Sequence, residues 1–213
     1  PPRSTLFPYT TLFRSWAIDP DQAADMSFDE ARRKLRELFD QNVAFHMRSD
    51  VPVGSALSGG IDSSTIVLSM RRHWPDAEIH TFSFCAPGSQ IDESQWSTLV
   101  ARQARTVHHQ ILAQPEELLD VLEPIIYSQD EPFAGTSVIA QFLVFRAARQ
   151  HGITVMLDGQ GADEMFAGYS FYRGLRLGAL LAKGRLGHAG RLCVRSRQWS
   201  DFGIGEALGW AGS

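Results

Sequence analysis

"ALSGGIDSST", residues 56–65, decides the fold: within ten positions an apolar run ends, two glycines follow, and a single acid stands among hydroxyl side chains. Before it, "VPVGSAL" (Val51–Leu57) is an apolar run suited to a buried strand, and after it "STIVLSMRRH" reads as a helix. In an open parallel sheet, ligands bind beyond the carboxyl ends of the strands, which is where this loop falls. Gly59 and Gly60 let backbone approach a ligand closely, while Ser58, Ser63 and Ser64 can donate hydrogen bonds beside main-chain N–H groups at a helix N-terminus. Such a collar suits a phosphate. Asp62 would repel a bare phosphate, so its presence predicts a Mg2+ shared between carboxylate and phosphate oxygens. The loop lacks the lysine of GxxxxGK[ST], which argues against a Walker A motif. Alone, "SGG" would be a tight turn before a serine-capped helix; the strand–loop–helix setting reverses that reading.

The same alternation extends outward. "SFDEARRKLRELFDQNVAF" opens with Ser27 and Glu30 in capping-box spacing and places Phe28, Ala31, Leu35, Leu38 and Phe45 near a helical period. "EIHTFSF" to Phe84 predicts a second strand, "IDESQWSTLVARQA" a helix with Asp92 as N-cap, and "HHQIL" a third strand. Pro115 suits the first turn of "PEELLDVLEPIIYSQ"; "SVIAQFLVFRAARQ" predicts a further helix, and "ITVMLDG" a fourth strand. Strands alternating with helices predict an α/β fold, a Rossmann-like doubly wound parallel sheet with helices on both faces. From about Arg173 the chain becomes rich in Gly and Arg, and a change to a helical subdomain is expected there.

Composition sets the class. The 213 residues are 44% hydrophobic and 21% charged, as in an ordinary soluble α/β domain. A net charge of -4 gives no electrostatic reason to expect nucleic acid or an anionic membrane as partner. Cys85 and Cys193 form no CxxC pattern, so neither a disulfide framework nor a zinc site is indicated. No membrane-length apolar run and no secretory leader stand out, and a cytoplasmic location is expected. "TLFPYTTLFRS", Thr5–Ser15, resembles the translation of a sequencing adapter; residues 1–15 are therefore set aside as non-native, leaving 16–172 as the main domain and 173–213 as the incomplete start of the helical one.

A second motif, "LDGQGADEMFAGY" (Leu157–Tyr169), follows the fourth predicted strand and again puts glycines and acids at its carboxyl end. In isolation it would be a strand-to-helix turn with Asp163 and Glu164 at a helix N-terminus. "LSGGIDSS" resembles the SGGxDS pyrophosphate loop of the N-type ATP pyrophosphatases, whose fold is adenine nucleotide α-hydrolase-like. Taken with "RSDVPVGSALSGGIDSS", "DES" (92–94), "VHHQ" (107–110) and "DEPFA" (130–134), the second motif resembles the C-terminal synthetase domain of the glutamine-hydrolysing asparagine synthetases, from Trp16 to about Arg173. The resemblance implies an ATP- and Mg2+-dependent ligase that adenylates a carboxylate, aspartate in that family, releases pyrophosphate and lets ammonia displace AMP. It implies that Leu57, Ser58, Gly59, Gly60, Asp62, Ser63, Ser64, Phe84, Asp158 and Gly159 bind nucleotide, and that Asp62 and Asp163 are the catalytic, magnesium-associated carboxylates. A glutaminase domain is expected upstream, and a homodimer is left open.

Three departures matter. Gln160 stands where many family members carry an acid, and an amide cannot act as general acid or base, so the accepted carboxylate is left open. The glutaminase with its N-terminal cysteine is absent, and the family's distal lysine has no evident counterpart, Lys34 and Lys183 being the only lysines. A non-catalytic ATP-binding fragment is thus a further reading. His108 and His109 lack a nearby third ligand and read as structural strand-end residues; Asp130 and Glu131 read either as acceptor-pocket residues or as a solvated turn; and the arginines of 173–197 read as a solvated face.

Overall fold

The computed structural model describes residues 26–89, 92–112, 115–133 and 135–196; the adapter-like segment lies outside them. The chain divides into two units, 1–41 and 42–213. Helix α1 (Phe28–His46) opens with the expected capping box. The Ser27 amide donates to Glu30 Oε2 at 2.8 Å, and the Glu30 amide returns to Ser27 Oγ at 3.3 Å, which satisfies two N–H groups that the helix start would leave bare.

In the second unit β1 (Val53–Ala56) leads through α2 (Ile61–His73) to β2 (His80–Cys85), and α3 (Ser94–Ala104) leads to β3 (Val107–Leu112). Helices α4 (Pro115–Gln129) and α5 (Thr136–Gln150) then carry the chain back past β1 to β4 (Val155–Leu157). All pairings are parallel, and the strand order is β3-β2-β1-β4. The sheet is doubly wound, as expected, and the order reverses between β1 and β4. A short α6 (Ala162–Phe166) and the helices α7 (Phe171–Ala182) and α8 (Leu186–Ser196) follow.

Each face of the sheet is covered by its own apolar cluster. Leu57 and Val67 meet Ala101 and Ala104 under α2 and α3. On the opposite face Phe82, fully buried, meets Val144, Ala148 and Ile153 under α5, while Val121 and Ile125 join α4 to Leu143 of α5. The α2–α3 face also buries hydroxyls, and each is spent on a strand carbonyl or neighbour: Ser55 donates to Leu157 O at 3.0 Å, and Ser83 donates to Leu57 O. Arg71 was not singled out in the sequence, yet it braces this face. Its guanidinium donates to Ala104 O (2.6 Å), Trp74 O (3.1 Å), Pro75 O (2.7 Å), Ala77 O (2.9 Å) and Arg105 O (3.0 Å), tying the ends of α2 and α3 together.

At the amino edge of the sheet His108 and His109 lie near the start of β3, and His109 packs with His80, His151 and Phe82. His80 Nδ1 lies 2.9 Å from His109 Nε2, and the His109 ring sits 4.6 Å from Phe82 and 4.0 Å from His151 at the end of α5. Burial first, then the nearby His151, His80 and His108, hold His109 below the ordinary histidine value; burial does the same to His108.

Boundaries shift in two informative places. Helix α2 starts at Ile61, because Gly60 takes an extended N-cap conformation and its carbonyl accepts the Ser64 amide at 3.0 Å. Asp62, Ser63 and Ser64 therefore sit in its first turn rather than in the loop. Glu93, not Asp92, is the N-cap of α3. Asp92 instead bridges the helix to the exit of β2: one oxygen accepts the Ala86 and Ser94 amides at 3.1 and 3.3 Å, and the other accepts the Ser94 hydroxyl at 2.8 Å. Those bonds, that of the hydroxyl foremost, keep its carboxyl below the usual range.

Candidate active site

The strand order reverses between β1 and β4, and the carboxyl ends of strands at such a reversal are where doubly wound sheets hold their ligands. Both sequence motifs leave from these strands. The first loop is set by its own side chains. Ser63 is buried, and its hydroxyl lies 3.3 Å from the Ser58 amide, 3.1 Å from the Ser58 hydroxyl and 3.3 Å from Gly60 O. Ser58 Oγ also accepts the Gly60 amide at 3.1 Å. These bonds curl the loop on itself and leave the first-turn amides of α2 without a side-chain cap.

The glycines are steric requirements. Gly59 has φ +94°, and a Cβ there would come within 2.6 Å of Trp96 Cβ and 2.7 Å of the Ser97 nitrogen. Residues Trp96 and Ser97 of α3 thus form the wall behind the loop, which no motif announced. Gly159 belongs to the other motif, yet a Cβ on it would stand 3.1 Å from Asp62 Cβ and 3.2 Å from the Ser63 nitrogen. The two loops touch through that missing side chain.

The remaining candidates divide. Asp62 is half-buried in the first turn of α2, and the Ser64 hydroxyl oxygen is buried there with no partner among the described residues. Asp158 accepts the Gln160 amide at 3.3 Å, which shapes the second loop, while Gln160 itself is exposed. Asp163, in the first turn of α6, directs its carboxylate into the space that a Cβ on Gly168 would fill, and its carbonyl accepts the Gly168 amide at 2.9 Å. Next to it the Tyr169 hydroxyl donates to Glu164 at 2.8 Å, a bond that raises the phenol above its usual value. Phe84 packs its ring against the clusters beneath α4 and α5. Leu57 is buried beneath α2 and α3, so at the strand end it offers main chain rather than side chain.

The asparagine synthase family model matches residues 34–207. The chain belongs to the asparagine synthase family. This family member is 38% identical over 146 residues to asparagine synthetase (glutamine-hydrolyzing) 1 of Bacillus subtilis, covering 68% of this chain and 22% of the relative. Against asparagine synthetase B (glutamine-hydrolyzing) of Escherichia coli the identity is 32% over 176 residues, 75% of this chain and 30% of the relative. The chain therefore spans less than a third of the length of these relatives. Among solved structures, the NH3-dependent NAD synthetase of Campylobacter jejuni aligns with a TM-score of 0.42 at 16% identity, over 68% of this chain and 61% of that one.

The donor set tests which groups the site of this asparagine synthase-family chain fits. Uncapped amides, hydroxyls and a glycine cradle at the switch point fit a nucleotide's phosphates. Among the described residues no three His, Cys, Asp or Glu side chains converge on one metal position. A cation here would share its shell between one or two carboxylates, phosphate oxygens and water, which is how Mg2+ is commonly held at nucleotide sites.

Proposed function

We propose that this chain is the ATP-using part of an amide-forming carbon–nitrogen ligase of the asparagine synthetase type, with aspartate as the carboxylate substrate and ammonia as the nitrogen donor. The observation that carries this reading is the contact of Gly159 with the Asp62–Ser63 backbone, which joins the two motif loops at the switch point. A carboxylate is a poor acyl donor because its leaving oxygen is charged and basic. In the proposed reaction its oxygen attacks the α-phosphorus of ATP, and the bond to the bridging oxygen breaks with release of pyrophosphate. Ammonia then adds to the acyl carbon, AMP leaves with the bonding electrons, and the surplus proton passes to solvent.

The chain's own part is positioning. Ser58, Gly59, Gly60, Ser63 and Ser64 would seat the phosphates, with Leu57, Phe84, Asp158 and Gly159 bordering the nucleotide. Asp62 and Asp163 would hold Mg2+, which when bound offsets charge on the departing pyrophosphate. No side chain serves as covalent nucleophile. We place the catalytic region at 16–172 and the start of a helical subdomain at 173–213, with a glutaminase domain upstream in the intact protein. Gln160 favours a second reading, in which the acceptor is another carboxylate. No described helix is long and apolar enough to cross a membrane, in keeping with the cytoplasmic location we propose.

ATP/pyrophosphate exchange with a panel of carboxylates tests the reading. Exchange that depends on aspartate and is abolished by Asp62→Ala and by Asp163→Ala, with folding retained, supports it. Exchange driven only by a different carboxylate supports the second reading, and nucleotide binding with no exchange leaves a binding fragment.

A further inference from the structure

The end of α6 is folded back onto its start. Ala167 takes the left-handed conformation at φ 57°, its amide donates to the Asp163 carbonyl, and the Gly168 amide reaches the same carbonyl at 2.9 Å. A left-handed residue followed by a bond of this span is a Schellman-type stop, in which the residue after the left-handed one frequently lays an apolar side chain on the residue five positions before it. Here that pair is Gly168 and Asp163, so one partner has no side chain and the other is a carboxylate. The contact that usually strengthens such a stop is given up, and its space goes to the acid. A Cβ on Gly168 would overlap Asp163 Oδ1 and stand 2.8 Å from its Cγ. The φ of Gly168 lies outside the left-handed region, so the backbone does not require glycine there; the neighbouring acid does.

The acid itself is unspent. Asp163 is half-buried, and its carboxylate makes no hydrogen bond or ion pair among the described residues. Its direction is thus set by room rather than by a donor, and its oxygens keep their lone pairs for a ligand. Beyond the turn the Tyr169 hydroxyl donates to Glu164 Oε1 at 2.8 Å, and the Tyr169 ring stacks 5.8 Å from Phe171, which ties the chain after Gly168 back to α6.

We infer that Gly168 is a positioning residue for Asp163: its missing side chain keeps the carboxylate fixed in direction and unpaired. The inference rests on the part proposed for Asp163 in holding Mg2+ beside the nucleotide, and extends it to a residue assigned to neither nucleotide nor metal.

Gly168→Ala tests it, because the added methyl displaces only the far end of a flexible side chain and the fold should survive. Calorimetry gives the ATP affinity of the full chain twice, with Mg2+ and with EDTA. The variant is expected to lose about tenfold of the gain that Mg2+ brings, the size typical of a group that orients a metal ligand, with its affinity in EDTA unchanged. Asp163→Ala should lose the gain as well, and adding Gly168→Ala to it should change nothing further. Thermal melts supply a readout without nucleotide: whatever stability Gly168→Ala loses in the parent chain should largely disappear in the Asp163→Ala background. A variant that keeps the full Mg2+ gain while Asp163→Ala loses it would overturn the inference alone. So would equal losses with Mg2+ and EDTA, or a melting cost that persists without the carboxylate. A parent chain whose ATP affinity ignores Mg2+, or an Asp163→Ala variant that keeps the gain, would remove the part proposed for Asp163 and this inference together.

Discussion

At Gly59 two demands meet: φ lies in the left-handed region, and the backbone of α3 occupies the space a side chain would take. Gly59→Ala is expected to lose roughly 2 kcal/mol or more of stability, a fall of about 4 °C or more in Tm. Gly60, at φ -64° and with only the Ser58 hydroxyl 3.2 Å from its would-be Cβ, should tolerate alanine far better. Equal losses in thermal melts of the two variants would contradict the steric account. Arg71 makes a separate case. Its three nitrogens reach five carbonyls in a planar fork that an ammonium group cannot reproduce, so Arg71→Lys should cost on the order of 2 kcal/mol in urea unfolding. A lysine variant as stable as the parent would show that the cage is incidental. The difference between these residues explains what could be read in advance. "SGG" announces itself because glycine has few uses, whereas Arg71 stands in an exposed-looking "MRRH" run, and its five acceptors come from segments up to 34 residues away.

Elements show the same division. Four strands, the α5 helix and the capping box at Ser27 were legible because apolar period and end signals agree locally. The start of α2 was not, since Gly60 caps through backbone geometry that carries no side-chain signature, and Asp92 missed its cap role because its carboxylate is drawn to the Ala86 amide across the β2 exit. The histidine edge joining β2, β3 and α5 has a pH consequence. His109 and His108 titrate below the ordinary 6.5 when folded, so the unfolded chain binds more protons just below that pH. Their contribution is therefore fully present above about pH 6.5 and is lost as pH falls through that value toward their folded values. Urea midpoints should drop between pH 7.5 and pH 5.5, and His109→Phe should flatten that slope. An unchanged slope in this variant would remove the cluster from the acid response.

Over the whole molecule, the strand order decides which loops become neighbours. A reader of the sequence can align two glycine-bearing loops with a family, but their meeting depends on the chain returning from β3 past β1 to lay β4 at its side. That return makes Gly159 a neighbour of Asp62, 97 positions away in the chain, and no local signal encodes it. Locally, the turn that ends α6 leaves Asp163 facing Gly168, two residues past that short helix. The central claim is that the loops after β1 and β4 form one nucleotide site. Amide hydrogen exchange with and without ATP and Mg2+ tests it most directly. Joint slowing across residues 58–64 and 158–161 is the predicted result, and protection confined to one loop, or to neither while ATP binds elsewhere, would contradict it.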